Sequence, residues 1–473
     1  MKSWAAIAGG IIVTGCVSMA PAYHRPDTSV AQTWPDGSPP PTAGTATSLP
    51  ADRLGWRTYF ADPRIQQLIE LALANNRDLR VAILNIETDR AQYQIQRAAL
   101  FPTIDAVGSG TYERVPGSAS PTTRYSNENT TSATVGFTSY ELDFFGRIRS
   151  LKNKALEEYF STEQARLSSQ LTLVGEVVSD YLTLAADGES LRLAEDTLIS
   201  QRASYDLTKQ MFDAGDATLL SLRQAESTVD SARVSVASYK TTVAQDYDAL
   251  VLIVGTPIPT GIVTQTLPQL LSSLDELPAD IPSVVLQRRP DVLESEHTLK
   301  ADNANIGAAR AAFFPTITLT GAAGSTSAAL SGLFKAGTFE RSIEPQISLP
   351  IFDAGSNRAS LRVANIQRDI DIAQYQRTIQ SAFHDVADAL AQRANIGEQL
   401  AGQRALVEAD ADSYRLSEAL FRNGIDSYLD LLTSQQTLYS AQQSLITVRL
   451  TRLENLVTLY KVLGGGALEN NAP

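Results

Sequence analysis

The sequence predicts a mainly helical fold with a small β part, built from one unit written twice in tandem. Three observations carry this. Ala99-Leu100-Phe101-Pro102-Thr103 returns as Ala312-Phe313-Phe314-Pro315-Thr316, and Tyr205 through Gly215 (YDLTKQMFDAG) returns as Tyr414 through Gly424 (YRLSEALFRNG). Proline, present 21 times, is missing from Thr122 to Thr256 and from Ile351 to Ala472, which permits helices of unusual length. Each half also carries two stretches of strand-like alternation around a polar, turn-rich middle.

The pairs Tyr205/Tyr414, Phe212/Phe421 and Gly215/Gly424 share an offset of 209, whereas Phe101/Phe314 and Pro102/Pro315 share 213. The change in length falls between the proline and Gly146 or Gly355, in turn-rich sequence where loops absorb it at low cost. Two repeats are too few for a solenoid, which needs about three or more, so a pseudo-symmetric single body is expected.

In chain order, residues 1–15 read as a signal peptide, with Lys2 ahead of an apolar run from Ala5 to Val13. Cys16 follows as the only cysteine, and Val13-Thr14-Gly15-Cys16 resembles a bacterial lipobox, which makes Cys16 the expected lipid attachment point. Thr14 departs from the usual Ala or Ser of that pattern. Val17 in place of Asp favours the outer membrane by analogy. Residues 16–55 form the lipid anchor and an extended tether, because Pro, Ser, Thr and Gly dominate from Pro21 to Pro50.

The first repeat, 56–260, opens with a helix in which Ile65, Leu68, Ile69, Ala72, Leu79 and Ile86 recur at helical spacing from about Arg64 to Leu100, until Pro102 ends it. A β-hairpin at about 103–143, a long helix at about 147–212, a tip at 213–217 and a return helix at about 218–254 follow. After a linker at 261–285, the second repeat, 286–463, places its hairpin at about 316–352, its long helix at about 356–421, its tip at 422–427 and its return helix at about 428–462; residues 464–473 are a flexible tail. Leu167, Leu171, Val174, Val178, Tyr181 and Ala185 step by fours and threes, the period of a coiled-coil seam. At Gly215 and Gly424 a glycine can take the left-handed conformation that ends a helix.

A helix over 147–212 would be about 100 Å long at 1.5 Å per residue. The return helix is about half that, and the helix before the hairpin could stack on its end. Four strands cannot close a barrel, for which roughly eight are needed. Three chains would supply twelve strands, an even number within the range of outer-membrane barrels. A hollow trimer with a shared twelve-stranded barrel is the resulting expectation.

The net charge of −13, one unit more negative once Lys2 is removed, argues against nucleic acid as a partner. One cysteine allows no disulfide framework, and 43% hydrophobic residues can supply a packed core. Beyond the leader no run of about 18 apolar residues exists, so any membrane span must be a β-barrel. His24, His297 and His384 lack ligand-like spacing, and no metal or nucleophile role is assigned to them. Arg288-Arg289-Pro290-Asp291 reads as a helix start. Gly464-Gly465-Gly466 has no strand before it and no Lys-Ser/Thr after it, and is a helix exit rather than a phosphate cradle. No catalytic residues and no cofactor are expected.

Trp56 to Pro63 (WRTYFADP), Leu142 to Arg149 (LDFFGRIR), Arg288 to Val292 (RRPDV), Ile306 to Gly321 (IGAARAAFFPTITLTG) and Leu349 to Gly355 (LPIFDAG), taken in order, resemble the TolC/OprM family of outer-membrane efflux channels, in its lipoprotein, NodT-like branch. The resemblance covers nearly the whole mature chain. It implies a homotrimer in which the barrel continues into a periplasmic α-helical tunnel. It also implies a passive conduit for small toxic molecules such as antibiotics, with outer-membrane lipid around the barrel. An RND-type inner-membrane pump and a periplasmic membrane-fusion adaptor would supply energy and substrate.

In that family the tunnel closes at the helical tips, and the corresponding segment here is Gly424 to Thr433 (GIDSYLDLLT). The implied gate residues are Asp430, at a ring-aspartate position, with Asp426, Tyr428 and Thr433, the last standing where relatives place a second acidic residue. Three copies of Asp430 about an axis would repel and raise their own pKa. An ordinary alternative makes Asp426 and Asp430 solvated carboxylates favoured by a helix dipole. Gly215, Asp216, Ala217, Thr218, Gly424 and Ser427 are the implied adaptor-docking tips. Two other readings stand beside this one. The same channel could carry metal ions, against which only three Met count, or secreted polypeptides; alternatively, a lipid-anchored coiled-coil scaffold without a pore would leave the repeated strand pairs without a purpose.

Overall fold

The computed structural model describes residues 18–27, 30–31, 34, 54–116, 126–259, 261–262, 266–271 and 283–466. The expected leader and Cys16 lie outside them. The described chain divides into two compact units, one formed within Met1–Asp27, Ile86–Thr162 and Ser295–Tyr375, the other within Thr28–Asn85, Glu163–Glu294 and Gln376–Pro473.

The first unit holds an antiparallel sheet of β1 (Asp105–Val115), β2 (Ser126–Glu141), β3 (Thr316–Ser327) and β4 (Phe339–Ser348), in that order. Each repeat contributes one hairpin, and β2 pairs with β3 to join them. Ladder pairing continues to Val115 opposite Ser126, so part of the Ser/Asn/Thr-rich middle assigned to the loop is strand. Ladder hydrogen bonds use backbone groups and are indifferent to side-chain polarity. The β2–β3 register shifts between Phe137 and Tyr140; there Ser139 takes φ +54° and donates its N–H to Thr320 Oγ1 at 3.1 Å.

Register sorts the side chains onto two faces. Tyr112, Val135, Phe137, Ile317, Leu319, Phe339, Ile343 and Ile347 share one, whereas Ser109, Thr111, Thr134, Thr318, Thr320, Ser342 and Glu344 share the other. Apolar-out, polar-in alternation of this kind is the pattern of a membrane barrel wall. Among the described residues β1 and β4 each pair on one side only.

Residues 18–27 of the expected tether lie along α7 (Pro290–Ala311) in the same unit. Asn303 donates to the Pro21 carbonyl at 2.9 Å and Arg310 to that of Met19 at 3.1 Å. Glu296, 3% exposed at its side chain, accepts from Arg25 at 2.6 Å, from Lys300 at 3.0 Å and from the Tyr23 hydroxyl at 3.2 Å. Burial pushes the Glu296 carboxyl up, but Arg25 and Lys300 together outweigh it and hold it below its ordinary value.

The second unit takes its core from α1 (Trp56–Tyr59), α2 (Pro63–Asn75), the start of α3 (Arg77–Ala98), most of α4 (Arg147–Ala214), α5 (Leu219–Val254), α6 (Leu267–Leu271), and much of α8 (Ser356–Arg422) and α9 (Tyr428–Val462). A 3-10 turn, Ser283–Arg288, precedes α7. The expected helix from Arg64 to Leu100 is two helices. Asn76 stops α2 with extended backbone, accepts from the Leu79 N–H through Oδ1 at 2.8 Å to start α3, and donates Nδ2 to the Ile253 carbonyl at the end of α5 at 2.8 Å. A tertiary contact thus sets the break, which no glycine or proline announces.

Val174, Val178, Tyr181 and Ala185 of the predicted seam are buried. Tyr59 stacks on Tyr460 with ring centroids 4.8 Å apart and donates to the Leu456 carbonyl at 3.0 Å. Arg289 binds Asp291 at 2.7 and 3.0 Å and donates to the Val462 carbonyl at 2.8 Å, joining the start of α7 to the end of α9. Among the described residues no helix is long and apolar enough to cross a membrane.

Candidate functional site

The two turns between long and return helices are built alike. At the end of α4 the Gly215 N–H bonds to the Phe212 carbonyl at 3.0 Å and the Asp216 N–H to Met211 at 2.8 Å; at the end of α8 Gly424 bonds to Phe421 at 2.9 Å and Ile425 to Leu420 at 3.0 Å. Both are Schellman closures, and both glycines take positive φ, +89° and +68°. Thr218 and Ser427 then cap the return helices, accepting from the N–H groups of Ser221 at 3.1 Å and Asp430 at 3.3 Å.

Asp430 is the third residue of α9 and is exposed. The Ser427 hydroxyl donates to its Oδ2 at 2.6 Å while the Asp430 N–H returns the bond, a capping box with Asp in the acidic place. The Ser427 bond first, and the Asp426 side chain second, hold the Asp430 carboxyl below its ordinary value. Asp426 accepts from the Ser427 N–H at 2.9 Å. Within one chain, then, Asp430 resists protonation, opposite in sign to the repulsion expected among three copies.

Thr433 is exposed and donates to the Leu429 carbonyl one turn back at 2.8 Å. Tyr428 differs from the surface position expected for a gate residue. Its ring is buried with Ala225, Phe421, Leu431 and Leu432, flanked by Tyr205, Met211 and Tyr414, and meets Phe421 edge-on at 5.8 Å. Burial pushes its phenol up. Tyr428 therefore seats the start of α9 against the other tip helices. Asp216 and Thr218 are exposed and Ala217 half-buried.

Sequence reasoning missed an apolar set at these tips: Leu219, Leu220, Ile425 and Leu429 are exposed large side chains. The signal was present in the sequence, since Leu219 and Leu220 directly follow the Thr218 N-cap and Leu429 lies two residues after the Ser427 N-cap. Among the described residues no group of three or more His, Cys, Asp and Glu side chains is placed to hold a metal ion.

The family model for outer membrane efflux proteins matches residues 68–256 and 281–465, one match to each repeat. This chain belongs to the outer membrane efflux protein family. The toluene efflux pump outer membrane protein TtgC of Pseudomonas putida is 48% identical over 468 residues, covering 99% of this chain and 96% of the relative. OprJ of Pseudomonas aeruginosa is 37% identical over 455 residues, covering 96% and 94%. Among solved structures, the open state of the Neisseria gonorrhoeae MtrE outer membrane channel superposes with TM-score 0.84 at 36% identity, covering 95% of this chain and 99% of that one. A membrane protein from Pseudomonas aeruginosa gives TM-score 0.87 at 36% identity, covering 95% and 100%. The efflux protein is thus an outer-membrane transport component, with its mass in helices and its four strands as the membrane part.

Proposed function

We propose that the protein assembles as a homotrimer whose twelve strands close one barrel, and that it serves as the passive duct of a three-part efflux system. The observation that carries this is the four-stranded sheet, with one apolar face, one polar face and an open ladder at each side. Such a sheet leaves backbone donors and acceptors unmatched in lipid, and only closure against further copies satisfies them. The relatives' names, toluene and antibiotic efflux pump outer membrane proteins, favour small apolar and amphipathic toxic molecules as cargo. Cys16 is the proposed lipid attachment point.

The tips take two roles in this reading. Asp430, flanked by Asp426 and Thr433 and positioned by Tyr428, forms the periplasmic gate. Gly215, Asp216, Ala217, Thr218, Gly424 and Ser427, with the exposed Leu219, Leu220, Ile425 and Leu429, form the surface that receives a periplasmic membrane-fusion adaptor bound to an RND-type pump. The decisive experiment is mass determination and negative-stain imaging of protein extracted from outer membranes in mild detergent, followed by susceptibility to toluene and antibiotics in cells lacking the gene. A three-fold cylinder and pump-dependent sensitivity are expected; monomers or solid rods reject the shared barrel. Export that survives a large charged residue at Ala217 or Ser427 rejects the docking surface.

A further inference from the structure

The duplication supplies an internal control for one buried contact. Before the hairpins the repeats are offset by 213 and after Gly146/Gly355 by 209, so Asp302 of α7 corresponds to Asp89 of α3, and Asp371 of α8 to Thr162 of α4. In the first repeat the Thr162 hydroxyl donates to Asp89 Oδ2. In the second repeat the donor position is occupied by an acid. We propose that Asp302 and Asp371 hold one shared proton in weakly acidic solution, and that this proton is the pin between α7 and α8 that the Thr162 hydroxyl provides between α3 and α4.

The geometry requires a donor at this place. Asp371 is 3% exposed; its Oδ1 accepts from Gln367 Nε2 at 3.1 Å, and its Oδ2 is buried with no protein donor. The group facing it from α7 is the Asp302 carboxyl, and from α4 it feels Lys154, which is engaged with Glu158 at 3.6 Å. Two ionised carboxylates here would repel and leave a buried oxygen unsatisfied, whereas a single proton between them converts repulsion into a hydrogen bond. Burial, with the Asp302 side chain second, pushes Asp371 up to about 7, while Gln367 and Lys154 pull the other way. A metal ion is the poorer occupant, since no third acidic, His or Cys ligand joins the pair among the described residues.

Deprotonation releases the proton to water and leaves two adjacent negative charges. Because the pair binds its proton more tightly than an unfolded aspartate, the native chain carries the extra proton between about pH 4 and 7. The pinned helices are therefore most stable in acid, lose stability as pH rises through that window, and change no further from this pair above it. A second carboxyl pair, Asp187 on α4 with Asp246 on α5, offers an internal reference, with Asp187 pushed up to about 6 chiefly by burial.

The test is an infrared pH titration of the full-length protein in detergent, following the protonated-carboxyl carbonyl band, with thermal unfolding midpoints over the same range. Wild type is expected to show a carboxyl step with its midpoint near pH 7, separate from the Asp187/Asp246 step, and an unfolding midpoint that falls as pH rises from about 4 to 7, with no further contribution from this pair above it. Asp371→Thr, which installs the first repeat's donor, should abolish the step near 7 and flatten the pH dependence of unfolding. Asp371→Asn and Asp302→Asn provide the same readout should the threonine variant fold poorly. Absence of a wild-type step between pH 6 and 8, or a step that persists in every folded variant, overturns the proposal.

Discussion

At Ser427 a single hydroxyl both receives the Asp430 N–H and donates to the Asp430 carboxylate. Removing it by Ser427→Ala leaves the first turn of α9 without its cap, and the expected cost is about 1 kcal/mol. The same change removes the largest cause of the depressed Asp430 pKa. A carboxyl with a depressed pKa keeps its charge until the pH falls below its ordinary value, so Ser427→Ala should move any acid response of channel conductance to higher pH. Asp430→Ala should remove that response along with its sensitivity to divalent cations. Single-channel recording decides both, and an unchanged pH profile in the two variants would refute the gate assignment. Beneath them, Leu431 is 2% exposed in the tip core, and Leu431→Ala is expected to cost about 2–5 kcal/mol, read by denaturant unfolding.

Among the elements, the strap of residues 18–27 and the joint between α2 and α3 both escape sequence reasoning, for related reasons. Pro/Ser/Thr-rich composition describes a chain that cannot build its own core, yet says nothing about a partner surface that can hold it. Here Glu296 provides that surface, and Asn303 and Arg310 bind the strap's backbone. Arg25→Ala removes a hydrogen-bonded charge pair from a buried carboxylate that retains Lys300, a loss of about 1.5–3 kcal/mol. The Glu296 pKa is depressed in the folded chain, so this contribution is present above the ordinary Glu value and disappears as pH falls through the folded one. Limited proteolysis should show earlier cleavage within 18–27 in Arg25→Ala at neutral pH; equal rates would mean that the backbone contacts alone hold the strap.

For the whole molecule, the assignment of faces makes a paired prediction. Ile343 and Ser342 are neighbours on β4 but stand on opposite faces of the sheet, opposite Gly321 and Ala322. Ile343→Arg places a cation on the apolar face, with an expected penalty of about 2–4 kcal/mol if it lies near the bilayer midplane, whereas Ser342→Arg should be tolerated on the polar face. Outer-membrane fractionation with cross-linking measures the assembled yield of each. Equal yields would contradict the shared barrel.

The helical class and the pair of hairpins were legible because they rest on repetition: offsets of 209 and 213, two proline-free stretches, and apolar residues returning at regular spacing; membership of an outer-membrane channel family was legible instead from five segments in order, Trp56 to Pro63 through Leu349 to Gly355. Local sequence determines such features through backbone geometry, which acts on every residue it repeats over. The break at Asn76, the burial of Tyr428, the exposed Leu219 and Leu429, and the meeting of Asp302 with Asp371 were decided only by tertiary structure. Each depends on which side chain a residue distant in sequence presents, and a carboxyl carries no mark in the sequence of whether its neighbour in space will be a lysine, water, or another carboxyl.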